Sequence, residues 1–420
     1  MPPTVWGDSL LVLCLLIMAL IAPAQALAEK GFQYSGFGTL GLSVEKEEDL
    51  AFLRDSNQSK DPEKDGSLHP DSILGMQFSS GFASDWRATA QFVYRDRPKQ
   101  SLDQATELAF LGYRPMPDLD MRLGRMAVDM FQLSDYRRVD YVNLWVRPPT
   151  EVYAWILPSS IDGADIAYSF DHGPYFWRFK MQYGNTEPIL EFPDGSDSVK
   201  TEFNDFLVAT LTLDFDVWRA RVSYSEATTA ASTPGFVAGL AQVGAFVPGP
   251  VGDEATALYN RLLSASNREV RYMQASLGYD DGDWLIDTEF TRIATSEALV
   301  PTGVAGYVSV GRRFEKLTPY VVYSRIDSDQ DLYVSTVDWS ATGFAPLRDA
   351  AIATINGVQI EQYTHSLGVR WDVMPKVALK AQWDRTHIES DKFAVWAHQN
   401  GAASEDTTVD LFSVALNFIF

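Results

Sequence analysis

A net charge of −22 on 420 residues disfavours nucleic acid as a partner, and a single cysteine excludes an internal disulfide and a multi-thiolate metal site. Hydrophobic residues are 46% of the chain, yet beyond residue 28 none of them gather into the roughly 20-residue apolar run of a membrane helix. The chain therefore cannot cross a bilayer by helices, and its apolar character is spread out in alternation.

In chain order, the first feature is Leu10 to Ala22, an apolar run of the length of a signal-peptide core, followed by Ala26-Leu27-Ala28, a small-x-small cleavage site before Glu29. Residues 1–28 are expected to be a signal peptide and 29–420 a single transmembrane barrel domain. Met1 to Ser9 holds Asp8 and no Lys or Arg, a departure from the usual positively charged start of such a signal. Cys14 lies inside the signal core, so the mature chain has no thiol nucleophile and a net charge of −21. No linker or composition break divides it.

Strand signals then follow at regular spacing. Phe32 to Val44 sets Phe32, Tyr34, Leu40, Leu42 and Val44 against Gln33, Ser35, Thr39 and Ser43. Ser72 to Ser80 pairs with Trp86 to Arg95 as a hairpin, Ala105 to Arg114 with Leu119 to Arg125 across Pro115 to Asp118, and Gly163 to Phe170 with Tyr175 to Tyr183 across Asp171 to Pro174. Phe203 to Leu213 joins Trp218 to Ser225, and Glu269 to Tyr279 joins Trp284 to Ala294 through Asp280 to Asp283. Ala305 to Phe314 joins Thr318 to Ile326, Ile360 to Trp371 joins Val377 to His387, and Thr408 to Phe420 closes the set. That predicts an all-β fold: a closed antiparallel transmembrane β-barrel of about 16 strands, short turns at one end and long loops at the other. Closure is required because in hydrocarbon each unpaired backbone group costs several kcal/mol. Convincing amphipathic helical periodicity is scarce.

Lipid-facing charge is costly, so bases that alternate with aromatics are assigned to the lumen wall: Arg87, Arg178, Lys180, Arg219, Arg221, Arg370 and Lys380, with the acids Asp287, Glu289 and Asp384. The excess of bases suggests a ladder that favours anions, against the plainer reading of a merely wet, charged lumen. Between Met126 and Asp162 the third long loop carries Asp129, Asp135, Arg137, Arg138, Asp140, Arg147 and Glu151 among Phe131, Tyr136, Tyr141, Trp145, Tyr153 and Trp155. So many bulky side chains predict a loop packed away from solvent, folded into the barrel, where those seven charged residues are candidates for a pore constriction. The alternative is an external or trimer-packing loop.

Two stretches carry a resemblance. The alternation Phe412, Val414, Leu416, Phe418, Phe420 resembles the recognition end of Gram-negative outer-membrane proteins, which makes Phe418 and Phe420 a candidate signal for the outer-membrane assembly machinery. The loop resembles the inward third loop of general porins, and Arg147-Pro148-Pro149 with Glu151 and Tyr153 is similar to a stretch in uncharacterised proteobacterial porin-family members. Classical porins lack Arg-Pro-Pro in that form, so their individual constriction residues do not transfer. The resemblance implies an outer-membrane porin, a homotrimer among lipid and lipopolysaccharide, passing small hydrophilic solutes without a cofactor or catalytic step. A substrate-specific channel for a sugar or organic acid is the main alternative, an adhesin or receptor a weaker one. An enzyme is disfavoured, because adjacent His365 and Ser366 point to opposite faces of a strand and cannot form a dyad. His69, His172, His387 and His398 are isolated, and Leu332 stands where calcium-loop spacing from Asp327, Asp329 and Asp331 would need glycine. Acid-rich loops, above all Glu45 to Asp71, are read as solvated surface, with divalent-cation bridges to lipopolysaccharide as the sharper alternative.

Overall fold

In a computed structural model the described residues are 31–45, 50–58, 66–97, 100–154, 158–191, 198–231, 235–263, 268–295, 300–357, 359–389, 396–398 and 406–420. The expected signal peptide, Trp155 of the third loop, and the loop acids Asp194, Asp197, Asp391 and Glu405 lie outside the described residues.

Alternation becomes sixteen strands, each hydrogen-bonded to its sequence neighbours. They are β1 (Phe32–Glu45), β2 (Ile73–Ala83), β3 (Trp86–Arg95), β4 (Thr106–Met116), β5 (Leu119–Ala127) and β6 (Ser160–His172). β7 (Tyr175–Thr186), β8 (Ser198–Phe215), β9 (Trp218–Ala231), β10 (Arg268–Asp280) and β11 (Trp284–Thr295) follow. β12 (Gly303–Arg312), β13 (Leu317–Ser328), β14 (Gln362–Met374), β15 (Val377–Ile388) and β16 (Thr407–Ile419) complete the wall. β16 also pairs antiparallel with β1, from Phe37 opposite Ile419 to Glu45 opposite Leu411, so no edge remains. The strands lie where the alternation put them; the ends differ, most at β9, which runs on to Ala231.

The two faces separate as the pleat requires. Leu111, Leu123, Val308, Val321, Phe412 and Val414 are exposed outward, while Leu411, Ser413, Ala415 and Asn417 are buried inward. Aromatic pairs such as Trp86 with Tyr113 and Trp218 with Tyr279 ring the short-turn end, and Tyr94, Tyr183 and Tyr323 stand near the other rim, the two girdles of a bilayer-spanning barrel. At the seam, glycines on β1 make room for the last aromatics: a β-carbon on Gly38 would sit 2.4 Å from the Phe418 ring, and one on Gly36 2.1 Å from that of Phe420. Phe420 also exchanges backbone hydrogen bonds with Gly36, at 3.1 and 2.9 Å.

Seven short turns join the hairpins. In the β10–β11 turn the Asp281 carboxylate accepts from the backbone N–H of Asp283 and Trp284, and Gly282 takes the positive φ of 95° that the tight reversal needs. The long-loop end holds what the sequence reading missed: α1 (Gly235–Phe246), α2 (Pro250–Leu263) and α3 (Ala345–Asn356) pack around Trp339 as a separate apolar core. α1 is almost wholly apolar or small, so it shows no two-faced pattern to detect. Glu254 anchors that core, accepting from Trp339 Nε1 at 2.6 Å, Ser335 Oγ at 3.0 Å and Tyr333 OH at 3.1 Å.

Candidate functional site

The long connection between β5 and β6 meets the wall on its inward face. Its hydrogen bonds reach ten strands. The Asp129 N–H donates to Gln182 on β7 at 2.7 Å, Thr210 on β8 donates to the Asp129 carbonyl at 2.9 Å, and Ser223 on β9 to the Met130 carbonyl at 2.7 Å. Gln132 N–H donates to Glu289 on β11, Trp145 Nε1 to Ser309 on β12 at 2.8 Å, and Tyr153 OH to Glu289. Glu151 accepts from Ser324 on β13 at 2.6 Å and from Gln362 and Thr364 on β14 at 2.7 and 2.5 Å. Lys380 on β15 donates to the carbonyls of Asp140 and Trp145, Thr39 on β1 to the Asp140 carboxylate, and Arg147 to Ser413 on β16.

Beneath these bonds lies an apolar core that a purely polar lumen would not have. Phe131, Leu144, Trp145, Val152 and Tyr153 of the segment pack on inward Phe203, Phe206, Tyr272, Tyr307, Tyr320 and Val322. A bulge at Asp205, φ 52°, lets both Phe203 and Phe206 face inside. The inward tyrosines carry no local signal of this role: Tyr272 meets Phe131 and Tyr307 meets Trp145, each partner distant in the chain.

Of the seven candidate constriction residues, Asp129, Arg137, Asp140, Arg147 and Glu151 are buried. Asp140, Arg147 and Glu151 fasten the segment to the wall and to the first loop, and Arg147 and Glu151 border only a small cleft of about 20 Å³. Arg147 pairs with Asp71 at 2.6 Å and Asp384 at 2.8 Å, and Arg54 of the first loop with Asp140. Burial pushes the Asp71 carboxyl up, but Arg147 and Arg54 outweigh it and hold it at about 2. Burial likewise opposes Asp129, which Lys180 and Arg221 hold at about 2. Asp135 is more than half exposed and stands 3.8 Å from Lys180.

The wall bases are less one-sided than the alternation suggests. Arg87 and Arg114 share Asp120, Arg122 holds Asp165, and Arg219 holds Asp214. Asp120, Arg122, Asp165 and Asp214 were missed; extending the two-residue period of β5, β6 and β8 would have found them. Arg221 and Lys180 engage Asp129, and Arg370 donates to the carbonyls of Tyr141 and Asn143. Asp287 accepts from Gln132, while Arg178 stays exposed on the same face as Lys180. Ser366 is buried inward and His365 lies outside against Tyr323. Asp327 and Asp329 are taken by Arg325 and Arg292.

Opposite β3 and β4 the segment leaves space. A cavity of about 590 Å³ opens at the long-loop end, lined among others by Asp55, Arg95, Arg97, Glu107, Arg137 and Arg138. A cleft of about 30 Å³ continues from it between Gln91 and Leu108 on the wall and residues 134–139, sharing Glu107, Arg137, Arg138 and Ser159. Asp55 links Arg95 at 3.0 Å to Arg138 at 2.9 Å; burial would raise its carboxyl, yet the arginines hold it far below the usual range.

No protein-family model matches the chain, and no curated protein does. Among solved structures it is similar to the Salmonella typhi OmpF complex with daunomycin, at 12% identity over 93% of this chain and 99% of that one, TM-score 0.52. It is also similar to the anion-selective porin from Comamonas acidovorans, at 10% identity over 93% and 100% of the two chains, TM-score 0.50. At such identities the likeness is one of fold: the chain has the sixteen-strand porin architecture.

Proposed function

We propose that the chain is an outer-membrane channel through which small hydrophilic solutes diffuse passively, exported by residues 1–28 and assembled as a homotrimer. The observation that carries this reading is the one-sided seating of the inserted segment. Its hydrogen bonds fasten it to ten strands, while the side facing β3 and β4 borders a polar cavity and a narrow cleft of mixed lining. The passage runs from the long-loop cavity, through the neck between residues 134–139 and β3–β4, to the short-turn end, where Arg178 and Arg219 are exposed and Arg87 part-exposed. Charged groups on both sides of the neck set a field across it that favours hydrated, charged solutes over apolar ones.

Planar-bilayer recording with Asp135→Cys tests the path, since the expected mature chain has no other thiol. A bulky cationic thiol reagent should lower single-channel conductance in this variant and leave Val321→Cys, on the lipid face, unaffected. Absence of channels from correctly folded protein would remove the reading; full conductance after labelling at 135 would move the passage away from the neck.

A further inference from the structure

We infer that the long-loop cavity is a saturable binding site for a small organic dianion, a dicarboxylate or phosphomonoester, held by Arg95, Arg97, Arg137 and Arg138. The inference rests on the channel reading, with the cavity as the outer part of the passage, and it turns that part from a filter into a site. Four guanidiniums form the inner wall, and the carboxylates among them are two, Asp55 and Glu107, which leaves an excess of two positive charges. Asp55 is taken by Arg95 and Arg138. Glu107 accepts from Arg97 at 3.4 Å and stands 3.9 Å from Arg138.

Those contacts do not exhaust the donors. Among the described residues Arg95 Nε, Arg137 Nη1 and Arg138 Nε are buried with no hydrogen-bond acceptor, on side chains of which Arg95 and Arg137 are more than nine-tenths enclosed. A buried donor without an acceptor is costly, and here it leaves three arginines that line one cavity short of acceptors. At the mouth, by contrast, Arg125 is held by Asp103 and Asp162, and Lys200 by Glu187, so the positive excess lies at the floor. The planar guanidinium fork matches the paired oxygens of carboxylate or phosphate and has no such match with chloride. A volume of about 590 Å³ is that of a small-molecule site and leaves room for an organic remainder beside Ser56, Thr106 and Thr186.

Isothermal titration of the detergent-solubilised chain with succinate and with inorganic phosphate tests this without requiring conductance. Saturable heat is expected from at least one probe, with chloride competing poorly; the tighter probe assigns the ligand as carboxylate or phosphate. Arg138→Gln should weaken binding by about tenfold, the loss of one charge-assisted contact. Glu107→Gln should tighten it, a gain that a damaged fold cannot give. Absence of saturable heat from a chain that conducts ions overturns the site and leaves the channel standing. Equal affinity in wild type and both variants places the anion elsewhere and overturns it too. Saturable, arginine-dependent binding by a chain that does not conduct keeps the site and removes the channel.

Discussion

Arg147 Nη1 stands 2.8 Å from Oδ2 of Asp384 on β15, inside the barrel, with both side chains almost wholly enclosed. The same guanidinium takes Asp71 from the first loop at 2.6 Å and lies over the Phe52 ring. One residue thus ties the inserted segment, the wall and the first loop together.

Arg147→Met should be strongly destabilising, since it strands the buried Asp384 and leaves Asp71 only Arg54, 3.8 Å away; removing one partner of such a pair costs about 3–5 kcal/mol. The expected outcome is a lower temperature for the heat-induced mobility shift of the folded barrel, with noisier conductance. A variant as heat-resistant as wild type would show that the segment is held chiefly by its apolar core.

Acid should release the segment before the wall. Asp71 and Asp129 both have folded values near 2, below the unfolded carboxylate value of about 3.9. A depressed value contributes stability that is complete above about pH 4 and is lost as pH falls toward 2. Amides of residues 128–147 should therefore gain hydrogen exchange over that window while the strand amides stay protected. Equal protection of the segment at about pH 2 and pH 6 would contradict this.

The β1–β16 seam should be intolerant of side chains on β1. Gly38→Val sets a branched side chain where the Phe418 ring lies, and is expected to cut the folded fraction recovered from outer membranes. Gly38→Ala combined with Phe418→Ala should recover part of that loss. Deleting Phe420 should likewise reduce assembly, through its contacts with Gly36 as well as any recognition of the terminus.

Glu254→Ala should loosen the helical cap and spare the pore. The carboxylate serves three donors in a core of its own, and leaving them without an acceptor costs about 1–3 kcal/mol for each enclosed group. Limited proteolysis within 235–263 is expected to accelerate at unchanged conductance. A fall in conductance would tie the cap to the passage.

The wall was legible because period two is imposed twice, by lipid outside and water or polar groups inside, so residues such as Phe412 and Ser413 declare their faces locally. The charged loop was legible as an enclosed one from its aromatics. Its partners were not: nothing near Arg147 announces Asp71 or Asp384, and nothing near Tyr307 announces Trp145. Arg95 and Arg97 were passed over because the first closes a strand and the second opens a loop, and only the fold sets them beside Arg137 and Arg138. α1 escaped because its exposed positions Ala238, Ala245 and Phe246 are as apolar as its buried Val237, Leu240 and Val243, so the sequence shows no two-faced pattern.

The bonds that seat the inserted segment reach far along the chain: Arg147 meets residues 237 and 266 positions later, Asp384 and Ser413. Such contacts are slow to form, since long loops must close first. The segment is made early and its last partners arrive only with β16, so it cannot settle while the cylinder is open. Its full seating therefore reports completion of the wall.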